Sequence, residues 1–244
     1  MQERVSLVIL FEPLLLLFMC GIFAYKGYQT NAPQLVFEGL KKLEYRGYDS
    51  WGIAWAKGKR IETIKQVGKI SEASSQSFEN EISTMAISHS RWATHGGVTE
   101  MNAHPHRSSD GTVIVIHNGI IENYAELKKE LGSSRFKTQT DTEVIAELIA
   151  EYAKTMDFLE AVKKACDRFS GRYAFIVIRE GDHRLIAARR GSPLILGLAP
   201  GEWFLASDIP AFLSHTREVN YLDDDQLVVI GEEGAKFYDL LTGA

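Results

Sequence analysis

A cysteine directly after a methionine, Met19-Cys20, is a position where one residue can hold a whole nucleophilic centre. If translation starts at Met19 and the methionine is removed, Cys20 carries both a thiol and a free α-amine. Their reference pKa values are about 8.5 and about 7.7–8.0. The amine can then act as general base toward the thiol near neutral pH and later protonate a leaving ammonia. With residues 1–19 attached, the same nitrogen is a peptide N–H and cannot act as a base. Taken alone, Cys20 reads as a buried cysteine at a strand start. The segments that accompany it favour the chemical reading.

Arg91-Trp92-Ala93-Thr94-His95-Gly96-Gly97 follows a strand-like stretch and offers a guanidinium, a hydroxyl, an imidazole and a flexible glycine pair. The planar fork of arginine suits bidentate capture of a carboxylate. The plain alternative is a solvated loop with Trp92 packed on the core. In His117-Asn118-Gly119, the Asn118 amide and the Gly119 backbone N–H can converge on one oxygen as an oxyanion hole. The competing reading is an Asn-Gly turn, weakened because the chain leads into a helix and not into a partner strand. Thr140 and Glu143 have capping-box spacing, so Asp141 is either a first-turn helix residue or a carboxylate offered to a ligand ammonium. His104-Pro105-His106 has no third ligand at metal-site spacing, so no metal and no cofactor are expected. Cys166 lies on an apolar helix face with Val162 and Phe169 and reads as core. Asp223-Asp224-Asp225 reads as a solvated turn, and Glu122, Glu126 and Glu130 as an exposed helix face with Lys129.

The elements that must position these groups form an α+β pattern. Strands are expected over 20–25, 51–55, 61–67, around 85–91, 112–117, 173–178, 185–188, 194–198, 203–206 and 227–230. The 112–117 strand should stop at Asn118-Gly119. Helices are expected from Pro33 to about Leu43, and over 123–131, 142–156 and 159–169. Many strands with helices in separate groups imply sheet layers covered by helices. Polar turns punctuate the chain throughout, which predicts one domain over 20–244.

Of the 244 residues, 45% are hydrophobic and 24% charged, which argues against disorder. A net charge of −5 lacks the basic footprint of a nucleic-acid binder. Glycine-rich phosphate loops are missing, and two cysteines cannot build a disulfide framework, which suits a reduced cytoplasmic setting. The apolar run from Val5 to Phe18 is interrupted by Glu12 and Pro13. It is short of the ~20 residues that a spanning helix needs. Residues 1–19 are therefore expected to be an N-terminal extension outside the mature protein. A signal or membrane anchor is the rival.

The ordered set Met19-Cys20-Gly21-Ile22, Leu43-Glu44-Tyr45-Arg46-Gly47-Tyr48-Asp49-Ser50, Arg91-Trp92-Ala93-Thr94-His95-Gly96, Asn102-Ala103-His104-Pro105-His106, His117-Asn118-Gly119-Ile120-Ile121-Glu122-Asn123 and Thr140-Asp141-Thr142-Glu143 resembles a known family. It is similar to the class II glutamine amidotransferase (glutaminase) domain of glucosamine-6-phosphate synthases, over essentially all of 20–244. Arg190-Gly191-Ser192-Pro193-Leu194 and Ala206-Ser207-Asp208 match as well. The resemblance implies an N-terminal-nucleophile hydrolase fold, a four-layer αββα sandwich with two antiparallel sheets. It implies hydrolysis of L-glutamine to glutamate and ammonia through a thioester on Cys20, with Asn118 and Gly119 on the oxyanion. Arg91, helped by Thr94 and His95, would take the α-carboxylate and Asp141 the α-ammonium. Trp92 would sit in a loop closing over glutamine, and Arg46 would support the site. The expected partners are L-glutamine and a separate sugar-phosphate isomerase domain or subunit, with a homodimer as assembly, no nucleic acid and no membrane. If residues 1–19 were retained, the expectation changes to a non-catalytic glutamine-binding regulatory module or a membrane-tethered protein.

Overall fold

The computed structural model describes residues 20–93 and 96–243. The 1–19 extension and both Thr94 and His95 lie outside the described residues. Among the described residues, no helix is long and apolar enough to cross a membrane.

The central strands are apolar on both faces, and this dictates the layering. In β1 (Gly21–Lys26), Phe23 and Tyr25 point one way while Ile22 and Ala24 point the other, and all are buried. Beside it lie β4 (Met85–Arg91), then β2 (Ser50–Lys57) and β3 (Arg60–Val67), which form a hairpin. On the other side follow β10 (Glu202–Ala206), β9 (Ile195–Ala199) and β11 (Glu218–Tyr221). The second sheet runs β13 (Gly234–Asp239), β12 (Gln226–Gly231), β8 (Leu185–Arg190), β7 (Gly171–Arg179), β6 (Val113–Ile121) and β5 (His106–Arg107). Every strand pair within both sheets is antiparallel.

Three cores hold the layers together. Phe23, Tyr25, Trp51 and Trp55 pack on Val36, Phe37 and Leu40 of α1 (Ala32–Lys41). Ile22, Ala24 and Ile87 meet Ile114, Ile116, Ile176 and Val228 between the sheets. Val113, Val115, Phe175 and Val177 face Val144, Ile145 and Leu148 of α3 (Glu143–Tyr152) and Val162 of α4 (Phe158–Cys166). Leu127 of α2 (Tyr124–Leu131) joins this last core. The result is the expected αββα sandwich, and Cys166 is buried in it as expected.

Several expectations need correction. β6 does not stop at Asn118-Gly119 but runs through them to Ile121, with Asn118 opposite Ala174 and Gly119 opposite Tyr173. Gly119 makes this possible. Its φ is 119°, and any Cβ there would collide with the Arg172 carbonyl. The Thr140/Glu143 capping box does not form. α3 starts at Glu143 with Thr142 at the cap, and the Glu143 carboxylate accepts from the Lys137 and Thr138 N–H groups and the Thr138 hydroxyl. The edge strands β11 and β13 escape a sequence reading because they are largely exposed and carry no clean apolar alternation. Asp223 and Asp224 are exposed, as a solvated turn requires, and the turn is also tethered, since Asp225 is held to Arg190 and Asp224 accepts from Gly191 N–H. Glu122, Glu126, Lys129 and Glu130 are exposed as expected, and Glu130 pairs with Arg168.

Gly39 sets how closely α1 approaches its sheet. A Cβ there would collide with the Phe23 ring and lie 2.9 Å from the Ala211 carbonyl. Alanine gains up to ~1 kcal/mol of helix propensity over glycine, but overpacking a core costs about 1–3 kcal/mol. The overlap with a buried ring decides the sign. Gly39→Ala is expected to destabilise the fold by about 1–3 kcal/mol in urea unfolding; unchanged or increased stability would contradict the packing.

Candidate active site

Cys20 precedes β1, and the β1–β4 register puts it beside Arg91 and Trp92. The pairing of Gly21 with Ser90 is close, since a Cβ on Gly21 would lie 2.6 Å from Ser90 Oγ. The Trp92 N–H donates to Cys20 Sγ at 3.2 Å, and Sγ lies 3.6 Å from the Trp92 carbonyl. Burial pushes the Cys20 thiol pKa up, while the Trp92 N–H and the charges of Arg91 and Arg46 pull the other way. On the far side, Asn118 Nδ2 donates to the Cys20 carbonyl at 2.6 Å. Arg46 Nε reaches the same oxygen at 3.5 Å, and its Nη1 pairs with Asp208 at 3.3 Å. Arg46 belongs to a short helical turn, Glu44–Arg46, which leads into the tight approach of Gly47 to the Arg91–Trp92 backbone.

Arg91 ends β4 and is buried. Its Nη1 donates to the Gly97 carbonyl at 3.1 Å and its Nη2 to the Gly96 carbonyl at 3.4 Å. Burial lowers its pKa, opposed by the nearby Cys20, Asp49 and Asp141. Asp49 anchors the loop, with its carboxylate accepting from Ala93 N–H at 2.8 Å and its own N–H donating to the Arg91 carbonyl. The Trp92 ring stands edge-on to Tyr48 at 5.1 Å. Asp141 is buried at the end of β6, where its Oδ2 accepts from Ile121 N–H at 2.8 Å. Gly119, next to Asn118 on β6, is exposed.

Two side chains that sequence reasoning missed connect these arms. Gln139 Oε1 accepts from Gly97 N–H at 3.1 Å and from Asn102 Nδ2 at 3.0 Å. Asn102 in turn donates to the Gly97 carbonyl and accepts from Gln139 N–H, both at 3.0 Å. The loop after Arg91 is thereby stitched to the segment that carries Asp141. Asn102 lay in a quoted motif but carried no role, and nothing in the local pattern singles out Gln139. Asp49, His89 and Asp208 were missed likewise.

Behind the site four buried histidines lie together. His89 stacks on His104 at 3.9 Å, and His106 meets His104 edge-on at 4.6 Å. His117 faces the helices, with Nδ1 3.0 Å from Thr142 Oγ1 and 3.9 Å from Asp141. His104 Nδ1 accepts from the His117 N–H at 3.2 Å, and His106 Nε2 lies 3.3 Å from Thr140 Oγ1. Among the described residues, no group of three or more His, Cys, Asp or Glu is arranged to hold a metal ion.

Cys20, Arg46, Arg91, Trp92, Asn118, Gly119 and Asp141 thus converge from separate stretches of chain. A family model described as a glutamine amidotransferase domain matches residues 89–214. The chain belongs to the glutamine amidotransferase family. The glutamine–fructose-6-phosphate aminotransferase (isomerizing) of Thermus thermophilus is 45% identical to this amidotransferase over 225 residues. The Pyrococcus horikoshii protein of the same name is 46% identical over 231 residues. Those alignments cover 91% and 93% of this chain but only 37% and 38% of the relatives. Among solved structures, the glutamine phosphoribosylpyrophosphate amidotransferase of B. subtilis superposes with a TM-score of 0.77 at 29% identity. It covers 91% of this chain and 49% of its own. The amidotransferase therefore has the N-terminal-nucleophile hydrolase fold.

The histidine cluster gives the amidotransferase an acid-labile element. Burial lowers the pKa of His89 to about 3, holds His104 and His106 well below the usual imidazole range, and lowers His117. Unfolded histidines titrate near 6.5. Between that value and the depressed folded values the unfolded chain binds more protons, so stability falls as pH falls. At pH 5 keeping His89 neutral costs about 2 kcal/mol, and His104, His106 and His117 act in the same direction. Urea unfolding at pH 7.5 and 5.0 is expected to show a loss of several kcal/mol at the lower pH. A flat profile would contradict the neutral cluster.

Proposed function

We propose that the chain hydrolyses L-glutamine to glutamate and ammonia on Cys20, with a mature chain that begins at that residue. The ammonia would go to a sugar-phosphate isomerase domain or subunit, as the names of the aminotransferase relatives suggest. One observation carries the reading. The Cys20 thiol is flanked by the Trp92 N–H at 3.2 Å, while the Asn118 amide touches the Cys20 carbonyl at 2.6 Å. Nucleophile and amide donor therefore sit side by side.

In this reading the Cys20 α-amine takes the thiol proton and Sγ bonds to the side-chain amide carbon of glutamine. Each amide nitrogen has two hydrogens. With one on the Cys20 carbonyl, the other N–H of Asn118 meets the developing oxyanion beside the Gly119 N–H. Collapse breaks the carbon–nitrogen bond, and the protonated α-amine gives its proton to the leaving ammonia. Water then adds to the thioester, releasing glutamate and restoring the thiol. Glutamine is a zwitterion, so Arg91 on its carboxylate and Asp141 on its ammonium fix its head while the amide reaches Sγ. Thr94 and His95 would assist Arg91. Trp92 would shield the bound substrate, and Arg46 would hold the Cys20 carbonyl. The Asn102–Gln139 stitching supports this reading, because it ties the two arms that would grip one amino acid.

Cys20→Ala is expected to abolish ammonia release while leaving the melting temperature near wild type, since Cys20 is only half-buried. N-terminal sequencing of active material is expected to begin at Cys20. A start of Met1-Gln2-Glu3-Arg4 with glutamate still accumulating would overturn the base assignment. Asn118→Ala is expected to lower kcat by roughly 10²–10³ with a smaller effect on KM. A change confined to KM would remove Asn118 from the oxyanion site.

A further inference from the structure

We propose that His89 is a positioning residue that locks the Asn118 amide with its nitrogen toward Cys20. The inference rests on Asn118 being the oxyanion donor. His89 sits on β4 and shares the inter-sheet face with Met85 and Ile87, while Asn118 shares the opposing face with Ile114 and Ile116. His89 Nε2 lies 3.0 Å from the His117 carbonyl and 3.1 Å from Asn118 Oδ1. A carbonyl oxygen can only accept, so Nε2 carries the hydrogen and the ring is the Nε2–H tautomer. The Asn118 atom facing that hydrogen must then be its oxygen. A flipped amide would set N–H against N–H at His89 and oxygen against oxygen at the Cys20 carbonyl, 2.6 Å away. Both ends of the amide therefore select one orientation, the one with its two N–H groups on the Cys20 side.

The ring itself is braced. It stacks on His104 at 3.9 Å, nearly parallel. His104 Nδ1 accepts from the His117 N–H at 3.2 Å, which fixes that ring against β6. Gly52 pairs with His89 across β2 and β4, and its missing side chain leaves room for the His104 carbonyl. Opposite Nε2, His89 Nδ1 is buried with no partner among the described residues. The polar contacts of the ring are thus made through Nε2, to the His117 carbonyl and Asn118 Oδ1.

The test is steady-state glutamine hydrolysis by the mature protein that begins at Cys20, in wild type and in Asn118→Ala. His89→Leu removes the donor and is expected to lower kcat about 10- to 100-fold, with KM within about threefold. His89→Gln, whose terminal nitrogen falls near the position of Nε2, is expected to recover kcat to within about fivefold of wild type. In the Asn118→Ala background, His89→Leu is expected to cost nothing further, because the group it positions is already gone. Multiplicative losses in the double variant, a change in KM alone, or wild-type kcat in His89→Leu would each overturn the proposal. Should His89→Leu fail to melt cooperatively, His89→Asn, whose shorter amide cannot reach Asn118, replaces it with the same outcomes. Wild-type kcat in Asn118→Ala would sink the oxyanion reading itself. A damaged Asn118→Ala with a neutral His89→Leu would sink only the role of His89.

Discussion

The hydrogen bond from Asn118 to the Cys20 carbonyl spans the two sheets of the molecule. Cys20 leads into the first sheet and Asn118 lies on the second, so the 2.6 Å contact exists only while the sheets keep their spacing. That spacing is set by the inter-sheet core of Ile22, Ala24 and Ile87 against Ile114, Ile116 and Ile176. Interiors at close-packed density transmit small changes in volume as displacement. The core thus acts on the site through distance, and the site needs distances held to a fraction of an ångström.

Burial governs the charges in the same way. Arg91 and Asp141 are both buried, and desolvation opposes the charged state of the arginine. The backbone answers that cost locally. The Gly96 and Gly97 carbonyls accept from the guanidinium, and Asp141 accepts from the Ile121 N–H. The two glycines leave their carbonyls free of side-chain obstruction. The same loop is then tied down by Gln139 and Asn102.

Much of this was legible in the sequence because the informative residues are chemical or apolar. Strands and helices in separate groups announced sheet layers covered by helices, the resemblance implied the four-layer sandwich, and the ordered motifs singled out Cys20, Arg91, Asn118 and Asp141. What stayed hidden depends on tertiary contact. Asn118-Gly119 reads locally as a turn, yet pairing with β7 carries the strand through it. Glu143 has the spacing of a cap, yet neighbouring backbone N–H groups at Lys137 and Thr138 claim its carboxylate. Gln139 is an ordinary polar residue until the fold brings Gly97 and Asn102 to it. His89 shows only strand alternation, since its tautomer follows from a carbonyl 28 residues away.

The central strands are sealed on both faces by apolar layers, so the candidate site lies at the rim where β1 begins and β4 and β6 end. The segments that meet there, around 46–49, 92–103 and 138–141, supply groups of the candidate site while contributing little to the three cores. Such a division lets selection rewrite the rim without refolding the sandwich.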